Sequence, residues 1–168
     1  MRLTPIALAI ALAASTFASA GQGQKPDDVI DQRSVALTQR AQALTASGQY
    51  GAAIDALETA LVVDPRNRAA YLGLAHVAQA QKLPGKAIGL YDEALKLEPN
   101  DASALAGQGE ALVQRGAVER AKQNLKKLKA VCSDPCPQQM TLAAAIEKGP
   151  PAEVLSARVD ETPAAAKN

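Results

Sequence analysis

A step of 34 residues recurs along this chain and constrains its fold more than any other feature. Ala53, Ala87 and Ala121 keep the step, as do Leu57, Tyr91 and Leu125. Leu37, Tyr71 and Leu105 keep it too, followed four residues later by Ala41, Ala75 and Gly109. Ala60 and Ala94 share it, and so do Pro65 and Pro99. A fixed period of a few tens of residues marks stacked supersecondary units. Within each unit the large and small residues sit four apart, which places them on one face of a helix. Ala53, Leu57, Ala60 and Leu61 form a stripe on a second helix, and Ala87, Tyr91, Ala94 and Leu95 repeat it. Small residues facing large ones let neighbouring helices approach closely.

Turn residues punctuate the period. Asp64-Pro65-Arg66-Asn67 and Glu98-Pro99-Asn100-Asp101 end the second helices, because proline cannot continue a helix and Asn or Asp can cap the next one. Gly48-Gln49-Tyr50 and Gly116-Ala117-Val118 form turns within units, where glycine is free to take left-handed backbone. The units are therefore 34–67, 68–101 and 102–135. Residues 136–148 read as a capping helix whose apolar stripe is Met140, Leu142, Ala143 and Ile146, stopped by Gly149-Pro150-Pro151. Residues 21–33 are a polar lead-in, with helix starting near Asp27, and 149–168 are a polar, Ala/Pro-rich tail expected to be disordered. Aromatics make up only 2% of the chain. That composition suits helix packing better than a sheet core, which favours β-branched and aromatic side chains.

The first twenty residues read as a signal peptide. Arg2 supplies a positive start, Ile6 to Phe17 an apolar stretch too short for a confident span, and Ala18-Ser19-Ala20 an A-x-A cleavage signal. The alternative is an uncleaved N-terminal anchor. Cleavage after Ala20 removes Arg2 and no acid, so the 18 Lys and Arg fall to 17 and match the 17 Asp and Glu. A net charge of zero argues against nucleic acid as a partner, since phosphate neutralisation needs a basic excess.

The units resemble tetratricopeptide repeats, and the residues that carry the likeness are Tyr71, Leu74-Ala75, Gly48-Gln49-Tyr50, Ala53, Ala87, Ala121, Pro65 and Pro99. The resemblance implies an all-α fold: a right-handed α-solenoid of three helix–turn–helix repeats, ended here by a C-terminal capping helix. The third unit departs from the pattern, with Cys132-Ser133 where its siblings close on proline, and the first has Leu37 in place of an aromatic and Arg40 where an apolar residue is usual. Family members bind peptides or helices in a concave groove lined by the first helices. Carried over to this sequence, the lining comprises Thr38, Gln42, Leu72, His76, Gln79, Ser103, Ala106, Glu110 and Val113. Relatives that clamp a C-terminal carboxylate place Lys, Arg and Asn on these faces. Thr38, Gly73, Ser103 and Gly107 stand there instead, which disfavours that ligand class.

Two cysteines, Cys132 and Cys136, flank Ser133-Asp134-Pro135. An even count in an exported protein reads as one disulfide, here a staple between the third unit and the capping helix. The string Cys132 to Pro137 also resembles the copper-binding motif of thioredoxin-like copper chaperones. Those proteins add a distal His on a βαβ fold, whereas His76 lies in another unit and no strand is visible. Two thiolates can still hold soft Cu(I). Zinc lacks a ligand set, so neither a metal nor a cofactor is expected. Arg115, Arg120, Lys122, Lys126, Lys127 and Lys129 read as a solvated outer face.

Catalysis has no foothold. No Ser–His–Asp arrangement or phosphate loop is visible, and adjacent Asp92 and Glu93 point about 100° apart on a helix. The expected function is therefore not enzymatic. It is an exported, periplasmic interaction scaffold for a protein or peptide partner, with no membrane span in its mature form. Two alternatives are a thiol-redox or copper-handling protein using Cys132 and Cys136, and a structural subunit of a cell-envelope assembly.

Overall fold

The computed structural model describes residues 29–154 except Ser133 and Pro135. The expected signal peptide at 1–20, the first part of the lead-in and residues 155–168 of the expected tail lie outside the described residues. Among the described residues seven helices run in order: α1 Gln32–Ala46, α2 Tyr50–Val63, α3 Arg68–Ala80, α4 Pro84–Leu97, α5 Ala102–Gln114, α6 Val118–Val131 and α7 Pro137–Lys148. They pair as α1/α2, α3/α4 and α5/α6, and each second helix rests on the first helix of the next unit. The result is an all-α solenoid of three helix–turn–helix units, with α7 standing where a fourth unit would begin. No described helix is long and apolar enough to cross a membrane.

The 34-residue rows are the core. Ala53, Leu57, Ala60, Ala87, Tyr91, Ala94, Ala121 and Leu128 are all buried to within about a hundredth of their surface. Large residues of one unit pack into glycines of the next. A Cβ on Gly73 would stand 2.7 Å from Leu57 Cδ2, and one on Gly107 would overlap the Tyr91 hydroxyl. Leu57 and Tyr91 are one period apart, and so are Gly73 and Gly107. At the end of the stack the direction reverses. Leu142 of α7 is fully buried, with its methyls 2.5–2.6 Å from where a Gly109 Cβ would be. Glycine replaces the Ala41/Ala75 alanine there because a large side chain arrives from α7.

The turns within units share one geometry. Gln49 donates to the carbonyl of Leu44, Leu83 to Ala78 and Ala117 to Leu112, each across a left-handed residue. That residue is Gly48 (φ 74°) in the first unit and Gly116 (φ 75°) in the third. In the second it is Lys82 (φ 58°), a position the glycine signal does not flag. Paired bonds of this kind close a helix by satisfying its last carbonyls.

Three expectations are corrected. The first helix starts at Gln32, not near Asp27, because the Asp31 carboxylate accepts from the Arg33 N–H and caps it. Met140 is 57% exposed and no part of the α7 stripe, whose buried anchor is Leu142. In the described part of the expected tail, Pro150 and Pro151 border a pocket with the ends of α5 and α7, and the Val154 N–H donates to the Pro151 carbonyl in a turn that the tail assignment did not include.

Asn67 and Asp101 share one register but act differently. Asp101 accepts from the Ala104 N–H at 2.7 Å and caps α5 as expected. It also pairs with Arg68 at 2.8 Å. Asn67 makes no side-chain cap on α3. Its amide instead reaches back into the first unit and donates to Ser34 Oγ at 2.7 Å and Thr38 Oγ1 at 3.0 Å. Beside it, Arg66 hydrogen-bonds Asp64 at 3.1 Å, and the Asp31 N–H adds a further bond. These bonds pull the Asp64 carboxyl pKa down to about 2.

A concave groove closed by the last helix

Three pockets adjoin along the face made by the first helices. The first, of about 280 Å³, lies between α1 and α3 and is lined by Gln42, Thr45, Leu57 and His76 among others. The second, of about 310 Å³, lies between α3, α5 and the first turn of α7 and is lined by His76, Gln79, Ser103, Ala106, Glu110 and Gln138, with Tyr91 behind. The third, of about 430 Å³, is framed by Glu110, Val113 and Gln114 of α5, the end of α7 and Pro150-Pro151. His76 is shared by the first two and Glu110 by the last two, so the pockets follow one another along a single groove-like face.

Seven of the nine carried-over groove residues line this face: Gln42, His76, Gln79, Ser103, Ala106, Glu110 and Val113. Ala106 and Val113 are buried and form floor, while Gln42, His76 and Ser103 are exposed. Thr38 is a correction. It is only 4% exposed, because Asn67 donates to its hydroxyl and the hydroxyl donates to the Ser34 carbonyl at 2.9 Å. Leu72 is a second correction: it is half-buried against the Ala75–Tyr91 core cluster and lines none of the three pockets.

Gln79 is held in place rather than left free. Its carbonyl accepts from the Tyr91 hydroxyl at 2.7 Å and its amide donates to the Gly107 carbonyl at 3.4 Å. Burial pushes the Tyr91 phenol pKa upward, and the nearby Glu110 carboxylate adds to the shift. The His76 ring meets Tyr91 edge-on at 6.0 Å, and desolvation lowers its pKa. Glu110 is half-buried, and that burial raises its carboxyl pKa. Among the described residues nothing hydrogen-bonds or ion-pairs with the Glu110 side chain.

The carryover missed some of the lining. Thr45 is one period before Gln79, so the register alone identifies it. Pro137, Gln138 and Thr141 are lining residues because α7 folds onto α5, which no periodic signal announces. Cys132 and Cys136 are paired, with Cα atoms 6.0 Å apart. The basic residues Arg120, Lys122, Lys126, Lys127 and Lys129 are exposed on α6, and Lys122 pairs with Glu119 at 2.7 Å.

The fold has counterparts among known structures. The first TPR of Spaghetti (RPAP3), bound to an HSP90 peptide SRMEEVD, superposes with a TM-score of 0.65 at 19% identity, over 73% of this chain and 97% of that one. The Yersinia enterocolitica secretion chaperone SycD, in complex with a peptide of the translocator YopD, gives 0.59 at 19% identity, over 76% and 93%. A Thermobaculum terrenum O-GlcNAc transferase mutant gives 0.61 at 27% identity, over 68% of this chain but only 22% of that enzyme. No curated protein matches the chain in sequence. The sequence pattern of the tetratricopeptide repeat matches residues 38–102 and 74–126, more than half of the chain. With the period, the shared turn geometry and the superposed solenoids, that match makes this chain a member of the tetratricopeptide repeat family.

Proposed function

We propose that this protein is an exported interaction scaffold that holds a peptide or helix of a partner protein in its concave groove. The observation that carries the reading is the groove itself: three adjoining pockets lined by described side chains of α1, α3, α5 and α7. Concave solenoid faces are extended binding surfaces because each repeat adds one strip of the same lining. The Spaghetti and SycD domains hold peptides on the same fold, which favours this use of it. Export rests on the apolar stretch before Ala18-Ser19-Ala20 and places the protein in a periplasm. A scaffold needs no catalytic group, and the polar groove side chains serve here as binding contacts. Shape dominates over charge, because net charge is near zero and long-range steering is weak. The thiol and copper reading requires Cys132 and Cys136 to be reduced first, since a disulfide offers no thiolate.

Gln42→Arg with Ser103→Arg tests the groove, because both residues are exposed and neither is part of the core. Wild-type protein captures its partner from envelope extract and the double variant loses it, with unchanged circular dichroism. An unchanged partner set refutes the groove assignment. Intact mass of the recovered protein checks export, with a chain beginning at Gly21 expected.

A further inference from the structure

The middle pocket carries one formal charge, and it is negative. Of its lining residues, Glu110 is the one acid and none is Lys or Arg, while desolvation lowers the pKa of the neighbouring His76. Glu110 projects from the middle of α5 between Ala106 and Val113, half-buried beneath the first turn of α7. Among the described residues its side chain has no hydrogen-bond or ion-pair partner. Lys148 borders the adjoining pocket, yet it is exposed at the end of α7 and forms no ion pair with Glu110. The other described bases of this half are exposed: Arg115, just after α5, lies against Gly85 of α4, and the rest sit on α6.

Charge is thus unbalanced in the middle pocket, with an unanswered acid there and no Lys or Arg among its lining residues. A half-buried carboxylate is costly until a cation answers it. The surroundings suit a long cationic side chain. Ala106 and the Tyr91 ring that covers Gly107 give the pocket an apolar floor for an aliphatic stem. Lys and Arg bury such stems while keeping the charged head at a polar site. Ser103 and Gln138 line the same pocket with further hydrogen-bonding groups.

Resting on the groove reading above, we infer that the partner segment carries a Lys or Arg side chain whose cation pairs with Glu110 under α7. The preference is opposite to what an acidic peptide needs. The SRMEEVD peptide held by the Spaghetti domain carries three carboxylate side chains against one basic residue, and here it would meet Glu110 without a base beside it.

The test selects 12-residue peptides from a random displayed pool on the full chain. Selected peptides are enriched in Lys or Arg at one position. Glu110→Gln weakens the best peptide at least tenfold, and replacing the peptide's cation by Gln weakens wild-type binding equally but adds nothing in the variant. SRMEEVD does not bind. Loss of fold does not explain the effect. The Glu110 pKa is raised in the folded state, so its stabilising contribution is present below the unfolded value and lost as pH rises through the folded one. At neutral pH the charge is a cost, and Glu110→Gln melts no lower than wild type. Peptides that need Gln42 and Ser103 but show no basic preference, or bind Glu110→Gln unchanged, overturn this inference and leave the groove reading intact. Binding indifferent to Gln42→Arg with Ser103→Arg overturns both.

Discussion

The junction between the first and second units and the junction between the third unit and α7 answer the same problem with different chemistry. At the first, Asn67 bridges Ser34 and Thr38, the Ser34 hydroxyl donates to the Ala60 carbonyl at 2.7 Å, and Asp64 ties Arg66 to the Asp31 N–H. At the last, Leu142 fills the space over Gly109 and Cys132–Cys136 ties α6 to α7. The polar junction consumes a groove residue, because Thr38 is spent on hydrogen bonding. The apolar junction adds groove, because docking Leu142 brings Pro137, Gln138 and Thr141 to the rim of the middle pocket. Pocket lining is therefore concentrated toward the C-terminal half, where the stack ends.

The largest expected effect is at the apolar junction. Leu142→Ala leaves a cavity above Gly109 and destabilises the protein by about 3 kcal/mol, as large-to-small core changes do. Urea unfolding measures it. Because α7 frames the middle pocket, partner affinity falls beyond what the unfolded fraction explains. Stability loss with affinity unchanged would show that α7 is a cap and no part of the site.

The cysteine pair gives the next effect. Cys132→Ser with Cys136→Ser opens a loop of only a few residues, worth about 2 kcal/mol on the chain-entropy view. The covalent tie and Leu142 hold the same helix, so the two losses couple rather than add. A double-mutant cycle with Leu142→Ala reads that coupling in urea midpoints. Strict additivity would mean that the disulfide restrains only its own loop.

These contrasts also mark what was legible in the sequence. The rows of Ala, Leu and Tyr specify which helix faces are buried, because burial repeats with the period wherever units stack on like neighbours. The capping helix was visible in Leu142 and Ile146, yet its seat on Gly109 was not, since α7 has no equivalent partner elsewhere in the chain. Thr38 was misplaced for a related reason. Family register puts it on the groove, and only the backward reach of Asn67, a long-range side-chain bond, buries it. Lys82 shows the same limit locally: the shared hydrogen bonds impose a left-handed residue where the sequence offers no glycine.

The smaller effects are at the polar junction and at its equivalent one period on. Asn67→Ala removes two buried donors, while the Ser34 and Thr38 hydroxyls keep their own carbonyl acceptors at 2.7 and 2.9 Å. Only acceptor capacity is left empty, so the cost is about 1.5 kcal/mol, in the range of modest net hydrogen-bond contributions. In Thr38→Val the Asn67 amide keeps Ser34 as a partner, and a cycle with Asn67→Ala isolates the single Asn67–Thr38 bond. Asp101→Ala, one period on, removes a cap and an ion pair half-open to solvent and costs about 1 kcal/mol. Peptide affinity stays unchanged in Asn67→Ala, since Thr38 does not reach the groove. If Asn67→Ala weakens peptide binding as much as Leu142→Ala does, the first junction belongs to the site, and the division between a polar fastening and an apolar, binding end of the stack is wrong.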